Sequence, residues 1–165
     1  MKKPNFALVS VLLFSCITIA SKDYTENTYE NKYEQYIREN NIPIYYDNGV
    51  FTVNDNIKEE DLLQFLGFLE LNRDIIIDNI NNTNTTRTAE GGPYKRTVLT
   101  IINGQIFIEK DNGPNRIVYE PTHPDAYLSG DMEGYVEYPN VDIVLELTDL
   151  IEVCRIREQI IEALY

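Results

Sequence analysis

The 165-residue chain has no tryptophan, a single histidine, two cysteines, and only 14 lysines and arginines against 27 aspartates and glutamates. Each shortage removes a class of function. One histidine, His123, with no second histidine or suitable cysteine near it, cannot furnish the three or four ligands of a zinc centre. Of the two cysteines, Cys16 falls in an apolar leader, which leaves Cys154 alone and unable to form an internal disulfide. Cys154 sits in a helical apolar pattern without a nearby base, so it reads as a small hydrophobe rather than a nucleophile. A formal charge of −13 repels nucleic acid and anionic lipid headgroups. No glycine-rich phosphate loop is present, because Gly91-Gly92 lacks both the spacing and the following Lys-Ser/Thr pair. The residue set therefore points to no catalytic centre, metal or cofactor.

The longest apolar stretch, Phe6 to Ala20, is short for a membrane span of about 20 residues. With Lys2 and Lys3 ahead of it, residues 1–20 read as a secretory signal peptide. Two cleavage readings stand. Thr18-Ile19-Ala20 offers the small residues that a general signal peptidase reads. Leu13-Phe14-Ser15-Cys16 resembles a lipobox, which makes Cys16 a candidate for lipidation.

Residues 21–58 form an additional N-terminal segment. Tyr29, Tyr33, Tyr36 and Ile37 predict a short amphipathic helix, and two β-rich runs around Asp47-Asn48-Gly49 predict a hairpin. Residues 59–165 form the main domain. Its first helix is expected over 59–80, capped by Asn56 with Glu59 as capping-box partner. Leu62, Leu66, Leu69, Arg73, Ile76 and Ile80 would make a coiled-coil-like seam broken at Arg73. A polar loop follows over 81–96, then a β-rich module over 97–138 with Asn103-Gly104 as a second hairpin turn. The last helix is expected over 141–164 with Asn140 as N-cap. Its apolar stripe runs through Ile143, Val144, Leu147, Leu150, Ile151, Cys154, Ile161 and Leu164, interrupted by Arg157 and Glu158. Asp142, Glu146, Asp149 and Glu152 read as a solvated acidic face of that helix. The class is α+β: two long antiparallel helices packed as a coiled-coil-like pair, with a small β-rich module between them.

Three punctuated runs stand out. The first is Asn79-Ile80-Asn81-Asn82-Thr83-Asn84-Thr85-Thr86-Arg87-Thr88-Ala89-Glu90-Gly91-Gly92-Pro93-Tyr94-Lys95-Arg96. The second is Tyr119-Glu120-Pro121-Thr122-His123-Pro124-Asp125-Ala126, and the third Gly134-Tyr135-Val136-Glu137-Tyr138-Pro139-Asn140-Val141-Asp142. On residues alone the asparagine/threonine tract is a solvated linker able to hydrogen-bond a partner, and His123 is a turn residue bonded to backbone or to Asp125.

In this order, and with Asp149-Leu150-Ile151-Glu152 in the last helix, the runs resemble the flagellar basal-body rod protein FlgC family, over roughly residues 61–158. The resemblance implies an axial structural protein whose terminal helices pair and pack with neighbours. It implies an assembly surface at Asn79, Asn82, Asn84, Thr85, Thr86, Arg87, Thr88, Glu90, Gly91, Gly92, Pro93, Tyr94, Tyr119, Pro121, His123, Pro124, Asp125, Gly134, Tyr135, Pro139, Asn140, Asp149 and Ile151. The implied partners are other rod and basal-body proteins and copies of the chain itself. Nucleic acid is not among them, and membrane contact comes only through the leader or a lipid on Cys16. Family members usually begin close to the first helix, so the leader and the segment before residue 59 are departures. So are Asn81 and Thr83 where alanine is usual, Cys154 for serine and Arg157 for tyrosine. The leader, the added N-terminal segment and a last helix that stops at Tyr165, where the family's usually continues, motivate an alternative, an exported periplasmic or lipid-anchored accessory protein that keeps the rod fold for another partner.

Overall fold

The computed structural model describes residues 31–165, apart from residues 48, 49 and 55. The expected leader, Cys16, Tyr29 and the expected Asn48-Gly49 turn lie outside the described residues. Within these the order is α1 (Lys32–Glu39), β1 (Ile44–Asp47), β2 (Val50–Val53), α2 (Glu59–Asn81), β3 (Thr97–Ile102), β4 (Gln105–Lys110), β5 (Arg116–Tyr119), β6 (Tyr135–Tyr138) and α3 (Ile143–Leu164). The strands pair as three antiparallel hairpins, β1–β2, β3–β4 and β5–β6, so the class is α+β. No described helix is long and apolar enough to cross a membrane.

The helix starts differ from expectation in two places. The N-cap of α2 is Lys58, without a side-chain bond, and no capping box forms. The Asn56 backbone amide instead donates to Asn54 Oδ1 at 3.0 Å. Glu59, Glu60 and Asp61 in the first turn supply the negative charge that a helix start favours. The N-cap of α3 is Asp142, whose Oδ1 accepts from the amides of Val144 at 2.9 Å and Leu145 at 3.3 Å. Asn140 is drawn away to the Arg96 amide, 3.4 Å from its Oδ1.

The two long helices run antiparallel where they touch. Asn79 near the end of α2 meets Glu146 near the start of α3, and Glu70 earlier in α2 meets Arg157 later in α3. The buried residues of α2 are Leu62, Phe65, Phe68, Leu69, Asn72, Ile76 and Asn79. Burial is thus rotated from the expected seam toward Phe65, Phe68 and Asn72. The cause is α1, which lies on that side. Tyr36 stacks on Phe68 with ring centres 4.1 Å apart, and Asn72 Nδ2 donates to the Tyr33 hydroxyl at 3.1 Å. The N-terminal segment therefore shares one core with the long helices: Tyr33, Tyr36, Ile37, Ile42, Ile44 and Phe51 cluster with Leu62, Phe65, Phe68, Leu69, Val153, Ile156 and Ile160.

On α3 the expected core stripe is largely the open one. Ile143, Val144, Leu147 and Ile151 are exposed, whereas Glu146, Val153, Ile156 and Ile160 are buried. Apolar residues surround most of this helix, so periodicity alone cannot choose the inward face. Packing against α2 and β2 chooses it. Two of the charges that interrupted the seams, Arg73 and Arg157, meet at its edge. Arg157 Nε donates to Glu70, and Arg73 pairs with the same carboxylate at 2.6 Å. Cys154 is partly buried against the core.

The β3–β4 hairpin closes at Ile102↔Gln105, with Asn103 and Gly104 at φ 52° and 76°. Both angles are positive, as a type I′ turn demands. The turn docks on the end of α1, where the Gly104 amide donates to Glu39 Oε2 at 2.6 Å. A Cβ on Gly104 would lie 3.3 Å from the Glu39 carbonyl oxygen. Gly104→Ala is expected to cost about 1–2 kcal/mol from left-handed strain, read from the urea midpoint; an unchanged midpoint contradicts the left-handed turn at this position.

Candidate functional site

The polar runs converge beneath the paired ends of α2 and α3. At the centre is Asn79, 1% exposed, and its amide is fully used. Its Oδ1 accepts from the Thr97 amide at 2.8 Å and the Tyr94 hydroxyl at 2.9 Å, and its Nδ2 donates to the Thr97 carbonyl at 2.8 Å. The same Nδ2 reaches Glu146 Oε2 at 3.3 Å. Glu146, expected in solvent, is 1% exposed and accepts from Arg96 Nε at 2.5 Å. A charge buried this far persists only with a partner and hydrogen bonds, and here it has both. The node binds α2, the start of β3 and the start of α3 into one unit.

From this node the asparagine/threonine tract folds back on itself. Asn82 is the C-cap of α2, with Nδ2 on the Asp78 carbonyl at 2.9 Å. Thr83 Oγ1 donates to the Ile80 carbonyl at 2.8 Å, and Thr85 Oγ1 to Asn82 Oδ1 at 3.0 Å. The Tyr94 amide returns to the Thr85 carbonyl at 2.9 Å, and the Thr88 amide to the Gly92 carbonyl at 2.8 Å. Gly91 and Gly92, at φ 91° and 73°, make the return turn. The tract is therefore a built loop and not a solvated linker. Asn84, Arg87, Glu90, Gly91 and Gly92 remain exposed at its surface.

The second run holds the first. Asp125 Oδ2 accepts from Thr86 Oγ1 at 2.7 Å, and its other oxygen pairs with Arg87. The Thr86 hydrogen bond, and then the Arg87 charge, keep the Asp125 carboxyl below its ordinary range. His123 Nδ1 accepts from the Asp125 amide at 3.0 Å, the turn role expected of it. Pro121 and Pro124 are exposed in the same turn. Thr86, Arg87, Gly91, Gly92, Pro93, Asp125, Tyr127 and Glu137 line an open cleft of about 320 Å³. In the third run, Tyr135 meets Tyr119 edge-on at 5.1 Å. Gly134 is needed beneath them, because a Cβ there would come within 2.6 Å of the Tyr119 ring. Pro139 is buried.

The predicted assembly residues thus separate by burial. Asn79, Tyr94, Gly134 and Pro139 are interior and hold the loops, while Asn84, Arg87, Glu90, Gly91, Gly92, Tyr119, Pro121, Pro124, Tyr135 and Ile151 face outward. Asp149 lies away from the node, in an ion pair with Lys32 of α1 at 3.2 Å. Thr97 and Glu146 belong to the node although the motif runs left them out, and so does Arg96, which ends the first run but was not among the expected assembly residues. A signal for Glu146 was present: residues 146, 153 and 160 recur every seven positions and mark the inward stripe of α3. Among the described residues no group of three His, Cys, Asp or Glu could hold a metal ion.

The network sets a pH window. Burial pushes the Tyr94 phenol up to about 12, and donation to Glu137 and Glu120 raises Tyr127 and Tyr138. A raised phenol stabilises the fold fully below its unfolded value of 10.0, and that contribution is lost as pH climbs through the folded value. Asp125, lowered by Thr86, and Glu137, lowered by Tyr127, work in reverse. Their contribution is present above the ordinary 3.8 and 4.5 and is lost as pH falls below those values. Melting temperature is expected to hold level from about pH 5 to 10 and to fall on both sides. A rise between pH 10 and 12 would contradict the buried phenol.

No family model matches the chain. Curated proteins do. The chain is 37% identical over 109 residues to the flagellar basal-body rod protein FlgC of Borreliella burgdorferi, covering 52% of this chain and 72% of that one. It is 30% identical over 118 residues to FlgC of Bacillus subtilis, covering 55% and 76%. It is 28% identical over 101 residues to FlgC of Escherichia coli O157:H7, covering 54% and 72%.

Proposed function

Since the chain belongs to the FlgC family of flagellar basal-body rod proteins and is a structural, rod-type subunit of the bacterial flagellar basal body, we propose that it joins neighbouring rod proteins through one face of α3. The observation that carries this is the open stripe of Ile143, Val144, Leu147 and Ile151 beside the rigid loop node. Contiguous apolar surface of this kind marks an interaction site in a folded protein. The α2–α3 contact acts as a coiled-coil-like pair that holds the stripe straight. The buried node fixes the angle between that pair and the hairpins, so that the exposed residues of the three polar runs meet a neighbour in one orientation.

The chain reaches this place by export, with residues 1–20 as its leader and the periplasmic side of the basal body as its site. Residues 21–58 serve as an added segment on the rod-like domain of residues 59–165. A second reading, an exported accessory protein on the rod fold, draws support from Lys32, which already occupies Asp149 of the assembly motif. Purified basal bodies distinguish the two. The protein is expected to co-purify with rod components, and a strain lacking it should show impaired rod assembly and swimming. Normal motility together with absence from basal bodies would refute the rod role.

A further inference from the structure

We propose that α1 and the β1–β2 hairpin are a built-in cap, which takes on one face of the α2–α3 pair the place a neighbouring subunit's helix would occupy. The proposal deepens the rod-subunit reading and rests on it. Three observations carry it.

The cap covers apolar surface as a partner helix would. Tyr33 meets the Phe68 ring edge-on at 6.2 Å, Tyr36 stacks on Phe68, and Phe51 tilts against Phe65 at 5.8 Å. Phe65 and Leu69 are completely shielded. Without the cap these aromatic rings of α2 would face water, which a chain seated among neighbours avoids by covering them intermolecularly.

The cap also takes polar groups from α3. Lys32 pairs with Asp149 at 3.2 Å, and Asn31 Nδ2 donates to Glu152 Oε1 at 3.2 Å. Asp149 is one of the expected assembly residues, and Glu152 closes the same Asp149-Leu150-Ile151-Glu152 run. Ile151, on the opposite side of the same turn, stays open. One side of that run is therefore engaged within the chain and the other is left for a neighbour.

The cap is anchored at its far end as well. Gln35 Nε2 donates to the Ile101 carbonyl at 2.9 Å, and the β3–β4 turn sits on Glu39. The Gln35 bond to Glu39 and the Gly104 amide hold that carboxyl below its ordinary range. Attachment to α2, α3 and the β3–β4 hairpin together makes α1 a fixed part of the fold.

The consequence is geometric. A head-to-tail array propagates only if each subunit offers two complementary faces. With one face of its helix pair sealed from within, this subunit offers one open face, the α3 stripe with the outward polar runs beside it, so it docks once and ends a row rather than extending it.

The test uses the purified protein and a variant carrying Tyr36→Asp and Ile37→Asp, which places two carboxylates where α1 is buried and leaves α2 and α3 unchanged. Sedimentation equilibrium is expected to show a monomer for the parent and at least about a twofold rise in mean mass for the variant, with helix content largely retained. A variant that stays monomeric with α2 and α3 folded overturns the cap, as does a parent that forms open-ended assemblies. Should the variant unfold, hydrogen exchange on the parent decides instead. Amides of α1 protected as strongly as those of α2 support a fixed cap, and fast exchange across α1 beside a protected α2 overturns it. Absence of the protein from basal bodies would sink the rod role without changing these masses, and a monomeric uncapped chain would sink the cap without changing basal-body docking.

Discussion

Arg96→Met will destabilise the protein by about 3 kcal/mol, toward the lower end of what breaking a buried ion pair costs. The change removes the guanidinium from Glu146 and leaves a carboxylate that is 1% exposed with Asn79 as its remaining partner. The Arg96 side chain is itself partly open to water, which admits some solvent and keeps the loss from the upper limit. Adding Glu146→Leu to the same variant should recover more than half of the loss, because the stranded charge goes with it. The pair of the exposed Arg87 with the half-buried Asp125 is the control: Arg87→Met should cost no more than about 1 kcal/mol, since Thr86 still holds that carboxylate. Urea denaturation of the four proteins reads all of this. Equal losses for Arg96→Met and Arg87→Met would show that Glu146 is not sealed in.

Phe68→Ala will cost about 3–5 kcal/mol, the range for deleting a buried aromatic ring. Phe68 touches Tyr33, Tyr36 and Phe65, so the cavity opens between α1 and α2. A loss of that size is a large share of the 5–15 kcal/mol typical of a whole domain. Hydrogen exchange should quicken first in α1, because its seat is the part removed. A loss below about 1 kcal/mol would mean that the N-terminal segment does not share the core.

Much of this architecture was legible in the order of residues. Asn103-Gly104 announced the β3–β4 turn because few residues other than glycine and asparagine accept two successive positive φ angles. The turn role of His123 followed from its place between Thr122 and Pro124 and its reach to Asp125. The inward face of α3 was not legible. Val144, Leu147 and Ile151 make as good a stripe as Val153, Ile156 and Ile160, and only the elements packed alongside decide between them. Glu146 was hidden for a related reason: a carboxylate on a helix belongs in water unless a guanidinium from elsewhere reaches it, and Arg96 is fifty residues away in sequence. The polar tract misled in the same way. Its threonine hydroxyls have partners on Ile80, Asn82 and Asp125 that local composition does not reveal.

A photo-crosslinking residue at position 151, in cells, addresses the central claim most directly. Position 45, where Tyr45 is exposed on the cap hairpin, serves as the comparison. Adducts with rod proteins are expected from position 151 and not from position 45. Adducts from position 45 alone, or none with any basal-body protein from position 151, would contradict docking through the open face of α3.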